Sequence, residues 1–299
     1  MTISLTLALI LAIVSPCIWG FMNIIDKYSV SHKVKNPLGF SILVGVSQIL
    51  FGLILAIFLD WGGVSLRLML PSIIVGILSG TTLFFYYFFM KKEDASNLIG
   101  FSYIYPMIVV ILSFLFLNEI LSFVGYLGVL AILSGAIILS VRMKKIGLKA
   151  SLWLLAPIIL FAGISEFLMK VSTNAISGWN GTSIQLISAG LVVLLLFFNK
   201  NMRRQFKAEI KNYKWALLSE SIAVFALLTT YFAMTGLPAS LVSSVGAIQP
   251  LSVLIYEKIL HKRVGKIMKD ESLKHKLIGI LLIVLGVILL YIPELLKLI

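Results

Sequence analysis

Long apolar runs alternate with short polar breaks along the chain, and the runs number ten. They cover residues 4–25, 38–59, 68–89, 95–117, 123–141, 152–171, 182–198, 215–235, 239–256 and 277–292. Each is close to the roughly 17 to 25 residues that carry a helix across a hydrocarbon layer. Breaks are short except after the seventh and ninth runs, so nothing is left for a soluble domain. The first run has no Lys or Arg before it and continues through Trp19 and Phe21 to Ile25. That length suits a retained first span better than a secretory leader.

The two halves repeat. Sliding the second back by 144 positions lays Tyr231 on Tyr87, Ala239 on Ala95 and Pro250 on Pro106, and Lys170 meets Lys27 with one residue's adjustment. Gly128 and Gly135 match Gly279 and Gly286 after an insertion. The expected fold is therefore an all-α integral membrane protein, its ten transmembrane helices arranged as two five-helix repeats, 1–147 and 148–299. Five is odd, so the second copy enters the membrane from the opposite face. Inverted repeats of this kind let two halves rock about a shared central site, which is a transporter arrangement.

Composition agrees. Apolar residues make up 60% and charged residues 12%, against about 25% charged in soluble domains, and mean hydropathy is +1.07. The net charge of +13 suits loops lying on anionic lipid. Without a soluble domain on which basic and aromatic residues interleave, nucleic acid is not an expected partner. Loops after the odd-numbered spans hold 22 of the 25 Lys and Arg, which predicts those loops inside and both termini outside. Cys17 is the single cysteine, His32, His261 and His275 are expected in loops, and no glycine-rich loop joins a strand to a helix. No catalytic, metal or cofactor site is expected, so neither an enzyme nor an ATP-driven pump is predicted.

One stretch, "DASNLIGFSYIYPMIVVILSFLFLNEILSFVGYLGVLAILSGAIIL", resembles the fourth and fifth helices of an EamA-type repeat in the drug/metabolite transporter superfamily. Small residues start a helix, a proline interrupts it, an acidic residue follows an apolar run, and a glycine-bearing helix closes the pattern. "WGFMNIIDK" is similar to the family's first-helix pattern, and "MTGLPASLVSSVGAIQPLSVLIYEKIL" repeats the fourth. The resemblance implies a transporter, more often for export than for uptake. It also implies cytoplasmic termini, whereas the charge count predicts the reverse.

Candidate site residues are polar groups placed where lipid would penalise them. Glu166 lies in "GISEFLMKVS", ~8 Å inside the end of the sixth span. An ionised carboxylate there costs a few kcal/mol unless it faces a partner or a wet cavity. Lys170, one turn on, is a candidate partner, but such a pair contributes only about 0.5 kcal/mol. A cavity-facing carboxylate that binds a cationic group or a proton is the preferred reading, with the ion pair as alternative. Lys27 and Lys170 sit near helix ends, where lysines either snorkel to headgroups or face a cavity; their matched positions favour anion binding in the cavity. Trp19, Asn23 and Lys27 follow one another at one-turn intervals on one face.

Glu220 is as deep as Glu166, while Glu119 falls at a span boundary and reads as a cap. Tyr87, Tyr103, Tyr231 and Gln249 are candidate hydrogen-bonding groups. Gly76 and Gly80 suit close helix approach, Pro106 and Pro250 break helices at matched depth, and Met202, Phe206 and Ile210 mark an amphipathic helix on the inner leaflet. The function expected is secondary active export of a small amphiphilic metabolite such as an amino acid, by alternating access, with protons as candidate coupling ion. A cationic drug exporter, or a membrane enzyme or lipid-handling protein on the same scaffold, is the alternative. The expected partners are a small-molecule substrate and the lipid bilayer, for a monomer or homodimer in the cell membrane.

Overall fold

A computed structural model describes residues 3–92, 95–140, 148–264 and 273–296. The repeat boundary at 147 and the loops carrying Lys145 and Lys269 lie outside the described residues. The helices are α1 (Leu5–His32), α2 (Pro37–Ile57), α3 (Leu66–Lys92), α4 (Ala95–Ser102), α5 (Pro106–Leu117), α6 (Phe123–Ser140), α7 (Leu148–Thr173), α8 (Gly178–Leu194), α9 (Lys200–Glu209), α10 (Tyr213–Gly236), α11 (Ala239–Gly246), α12 (Gln249–Val264) and α13 (Leu273–Leu296). No strand occurs among the described residues.

Among the described residues, seven helical segments are long and apolar enough to cross a membrane, and Pro106–Leu117, Phe123–Gly135 and Ile278–Pro293 are shorter apolar helices. The chain is a multi-pass integral membrane protein. Helix starts use local capping: Ser4 Oγ accepts from the Leu7 N–H at 3.3 Å, and Ser177 Oγ from the Asn180 N–H at 3.2 Å. Each satisfies an N–H that the helix itself leaves unpaired.

Three expectations need revising. The first span does not end near Ile25; α1 runs on to His32, which carries Asp26 and Lys27 inside the protein as buried residues. The runs at 95–117 and 239–256 are each two helices. Pro106 has no N–H for the Ser102 carbonyl, which instead accepts from the Tyr105 N–H at 3.2 Å, and Pro250 likewise cannot serve Gly246. The histidines are helical: His32 ends α1, His261 lies in α12 and His275 in α13.

The most extensive pairings are α6 with α13, α1 with α10, α2 with α8, and α3 with both α7 and α8. Several rest on glycine, because without a Cβ two backbones can touch. A Cβ at Gly128 would come 2.7 Å from the Gly286 carbonyl, and one at Gly135 would come 2.5 Å from that of Gly279. The four glycines matched by the sequence repeat thus meet crosswise, as antiparallel helices require. Gly76 packs α3 on α8 in the same way, its Cβ position 2.5 Å from the Gln185 carbonyl, and Gly80 does so against Ala189.

Loops join across the halves. The Glu209 carboxylate accepts from the Lys35 and Asn36 N–H groups at 3.0 and 2.8 Å, so the basic 199–212 segment, which includes the expected amphipathic helix as α9, lies beside the loop after α1. At the other end Asn180 Nδ2 donates to the Asp60 carbonyl at 3.0 Å.

Candidate functional site

A cavity of ≈ 320 Å³ opens among α1, α3, α7, α10 and the two broken helices. Its inner wall comes from α1. Trp19, Asn23 and Asp26 recur at helical spacing, so one face of α1 presents an indole, an amide and a carboxylate to the same space. Asp26 is fully buried and well supplied with donors. Its Oδ1 accepts from the Tyr87 hydroxyl at 2.9 Å and from Ser219 Oγ at 2.5 Å, and its Oδ2 from the Tyr86 hydroxyl at 2.8 Å. Three hydroxyls satisfying one carboxylate is how a group at this depth is held without a counter-ion.

The network continues across the molecule. Asn23 Nδ2 donates to the Tyr86 hydroxyl at 2.8 Å, and Gln249 Nε2 donates to Asn23 Oδ1 at 2.5 Å. Tyr103 in turn donates its hydroxyl proton to Gln249 Oε1. These last two residues reach the cavity because their helices are broken: Tyr103 sits in the α4–α5 break and Gln249 begins α12. A Cβ at Gly246 would come 3.3 Å from the Tyr103 ring, so the two breaks face each other closely. Tyr105 completes the wall and donates to Glu166 Oε1 at 3.3 Å. Trp19 Nε1 donates to Thr230 Oγ1 at 3.3 Å, tying α1 to α10 between the ends of the network.

Glu166 and Glu220 differ from Asp26. Each leaves its Oε2 buried and without a hydrogen-bond partner. Gln48 hydrogen-bonds Glu220 from α2, yet its own Oε1 is unpartnered, as is Ser165 Oγ beside Glu166. Buried acceptors left open are uncommon in folded proteins and mark places where a donor is expected. No Lys, Arg or His lines the cavity among the described residues.

Seven of the ten residues singled out from the sequence line this cavity: Trp19, Asn23, Tyr87, Tyr103, Glu166, Glu220 and Gln249. The structure does not bring Lys27, Lys170 or Tyr231 there. Tyr231 stands behind the wall and donates to Gln185 Oε1 at 3.0 Å. Lys27 Nζ donates to the Met90 carbonyl at 2.8 Å, and Lys170 Nζ to the Met234 and Leu237 carbonyls at 2.6 and 2.9 Å. The expected anion-binding lysines therefore meet the carbonyl ends of α3 and α10, where a cation offsets the negative end of the helix dipole. The Glu166–Lys170 ion pair does not form either, since both partners point elsewhere.

Glu119 caps as expected, but across the halves. It accepts from the Ala239 and Ser240 N–H groups at 2.9 and 3.1 Å, so Lys170 and Glu119 hold the α10–α11 turn from its two sides. Lys170→Met should accordingly lower thermal stability by about 2 kcal/mol, the value of charged hydrogen bonds lost from buried carbonyls. Ligand affinity, read by titration calorimetry on the same sample, should stay at the wild-type value. A weakened affinity with an unchanged melting temperature would return Lys170 to the site.

Asp26, Tyr86, Tyr105 and Gln48 were not picked out from sequence. Asp26 had a usable signal, since positions 19, 23 and 26 share a helix face, and α1 runs seven residues beyond the Ile25 end of the apolar run. Tyr86 lies in "FFYYFF", which covers every face and so points nowhere. Tyr105 could be placed only once the helix was seen to break before Pro106.

Residues 6–141 match the EamA-like transporter family. No curated protein matches the chain. A solved crystal structure is similar over 94% of this chain and 94% of its own, with a TM-score of 0.68 at 16% identity. At that identity the likeness shows the fold alone.

Proposed function

We propose, from the match of residues 6–141 to the EamA-like transporter family, that the whole chain is a secondary active exporter of small amphiphilic molecules carrying a protonated amine, coupled to proton entry. Two five-helix halves, 1–147 and 148–299, form the rocking parts, inverted relative to each other. The crosswise glycine contacts of α6 with α13, and the matched way Lys27 and Lys170 serve the ends of α3 and α10, support that arrangement.

One observation carries the choice of substrate. Three carboxylates, Asp26, Glu166 and Glu220, line the cavity with no cationic side chain among the described lining residues. An anionic ligand, or the carboxylate of an amino acid, would meet buried acceptors and repulsion. An ammonium group supplies the donors that Glu166 and Glu220 lack. A carboxylate also binds either a proton or a cation, so export of one against entry of the other needs only competition at one group.

In proteoliposomes, an imposed pH gradient should drive accumulation of a radiolabelled primary alkylamine above the level it reaches in protein-free liposomes under the same gradient. An alkyl carboxylate of matched size should stay at the passive level. Equal transport of the carboxylate would overturn the amine reading, and covalent change of either probe in detergent would favour an enzyme.

A further inference from the structure

The open acceptors in the cavity are not in one place. Lys170 Nζ on the Met234 and Leu237 carbonyls sets the register of α7 against α10, with the C-terminal ends of both helices together. Glu166, one turn before Lys170, then lies level with Thr230. Glu220 is ten residues nearer the start of α10, a displacement of ~15 Å at the helical rise per residue. Two separate poles result. At one, Glu166 Oε2 and Ser165 Oγ lack partners; at the other, Glu220 Oε2 and Gln48 Oε1 do. Gln48 and Ser165 are 9% and 8% exposed and both line the cavity, so each pole offers an unpartnered polar group beside its carboxylate. Asp26, close to Glu220, already accepts three hydroxyls, and neither of its oxygens is without a partner.

Between the poles the Asn23–Gln249–Tyr103 hydrogen-bond line runs along one side of the cavity, and apolar side chains make up much of the rest. Ala223 and Leu227 lie on the Glu220 face of α10, with Trp19, Met22 and Leu83 opposite. A ligand that fits both ends needs a donor cation at each and methylene groups between.

We propose that the cavity binds a linear diamine or polyamine end to end, one ammonium on Glu166 and the other on Glu220, with its aliphatic chain against Trp19 and Leu227. Allowing ~2.8 Å for a charged hydrogen bond at each end, the two nitrogens lie ~10 Å apart. At roughly 1.2 Å per bond of extended chain, that is between about eight and nine bonds, the span from diaminoheptane to diaminooctane. The inference rests on the amine reading above and narrows it.

The test is calorimetric titration of the purified full-length protein with a series from diaminopropane to diaminodecane, each compared with the alkylamine of equal carbon number. Diaminooctane should bind at least about tenfold more tightly than octylamine, and diaminopropane should show no such gain. Glu166→Gln and Glu220→Gln should each reduce diaminooctane to the affinity of octylamine. If octylamine binds as tightly as every diamine, the second pole is not a cation site and this inference falls while the amine reading stands. If neither diamines nor alkylamines bind, both fall. The wild-type series decides the matter even if a variant fails to fold.

Discussion

Glu166→Gln should abolish pH-driven accumulation of an organic ammonium ion in proteoliposomes while leaving downhill exchange of that ion measurable. The carboxylate lies about two turns inside the end of α7, with one oxygen on the Tyr105 hydroxyl and the other open. As a charged group it attracts an ammonium; as a protonated acid it does not, and in the proposed mechanism that alternation couples the two fluxes. The amide has the same shape and is locked in the neutral state. Transport can therefore still proceed down a gradient, but the proton no longer has a place to compete. Binding of the ammonium ion should weaken about tenfold or more, the loss of ~1.4 kcal/mol or above that one charged hydrogen bond supplies. The fold should survive, because the substitution removes a buried charge whose burial is costly. Full gradient-driven accumulation by this variant would end the coupling role of Glu166.

Gly190→Leu is expected to prevent accumulation of folded protein. On α8, a Cβ at Gly190 would fall on the Gly45 carbonyl of α2 and 2.5 Å from Ile49 Cγ1. Backbone on one side and a packed side chain on the other leave nothing cheap to move. Separating the helices would strip contacts along a whole pairing, in a solvent where packing rather than water exclusion holds helices together. The cost is put at roughly 3 kcal/mol or more, the upper part of the range for overpacked cores. Size-exclusion chromatography of detergent extracts should show the monodisperse peak lost or shifted to aggregate. A normal peak with an unchanged melting temperature would show that α2 and α8 are not packed through this glycine.

Much of the architecture was legible because lipid imposes a one-dimensional rule. Every span must hide its backbone polar groups within itself and present apolar side chains, so length and hydropathy alone mark the helices. The same economy made the deep polar residues conspicuous: Asn23, Glu166, Glu220 and Gln249 could be singled out simply because their depth is expensive. Matched glycines and prolines are the basis of the proposed repeat for a similar reason, as each has few structural uses inside a helix.

What each polar group faces was a different matter. Lys170 and Glu166 look like partners along one helix, yet the ammonium turns to the carbonyl end of α10 and the carboxylate to Tyr105, which lies 61 residues away along the chain. Glu119 looks like a local cap and instead caps α11, at a separation of 120 residues. Asp26 looks like the edge of a loop and is the most completely hydrogen-bonded carboxylate of the cavity, through hydroxyls from α3 and α10. Hydropathy along a chain measures the cost of placing a group at a given depth. The choice of partner that offsets the cost depends on which helices lie side by side, and here α1 packs on α10 and α3 on α7, so only the tertiary structure could separate lysines that hold helix ends from carboxylates left open to a ligand.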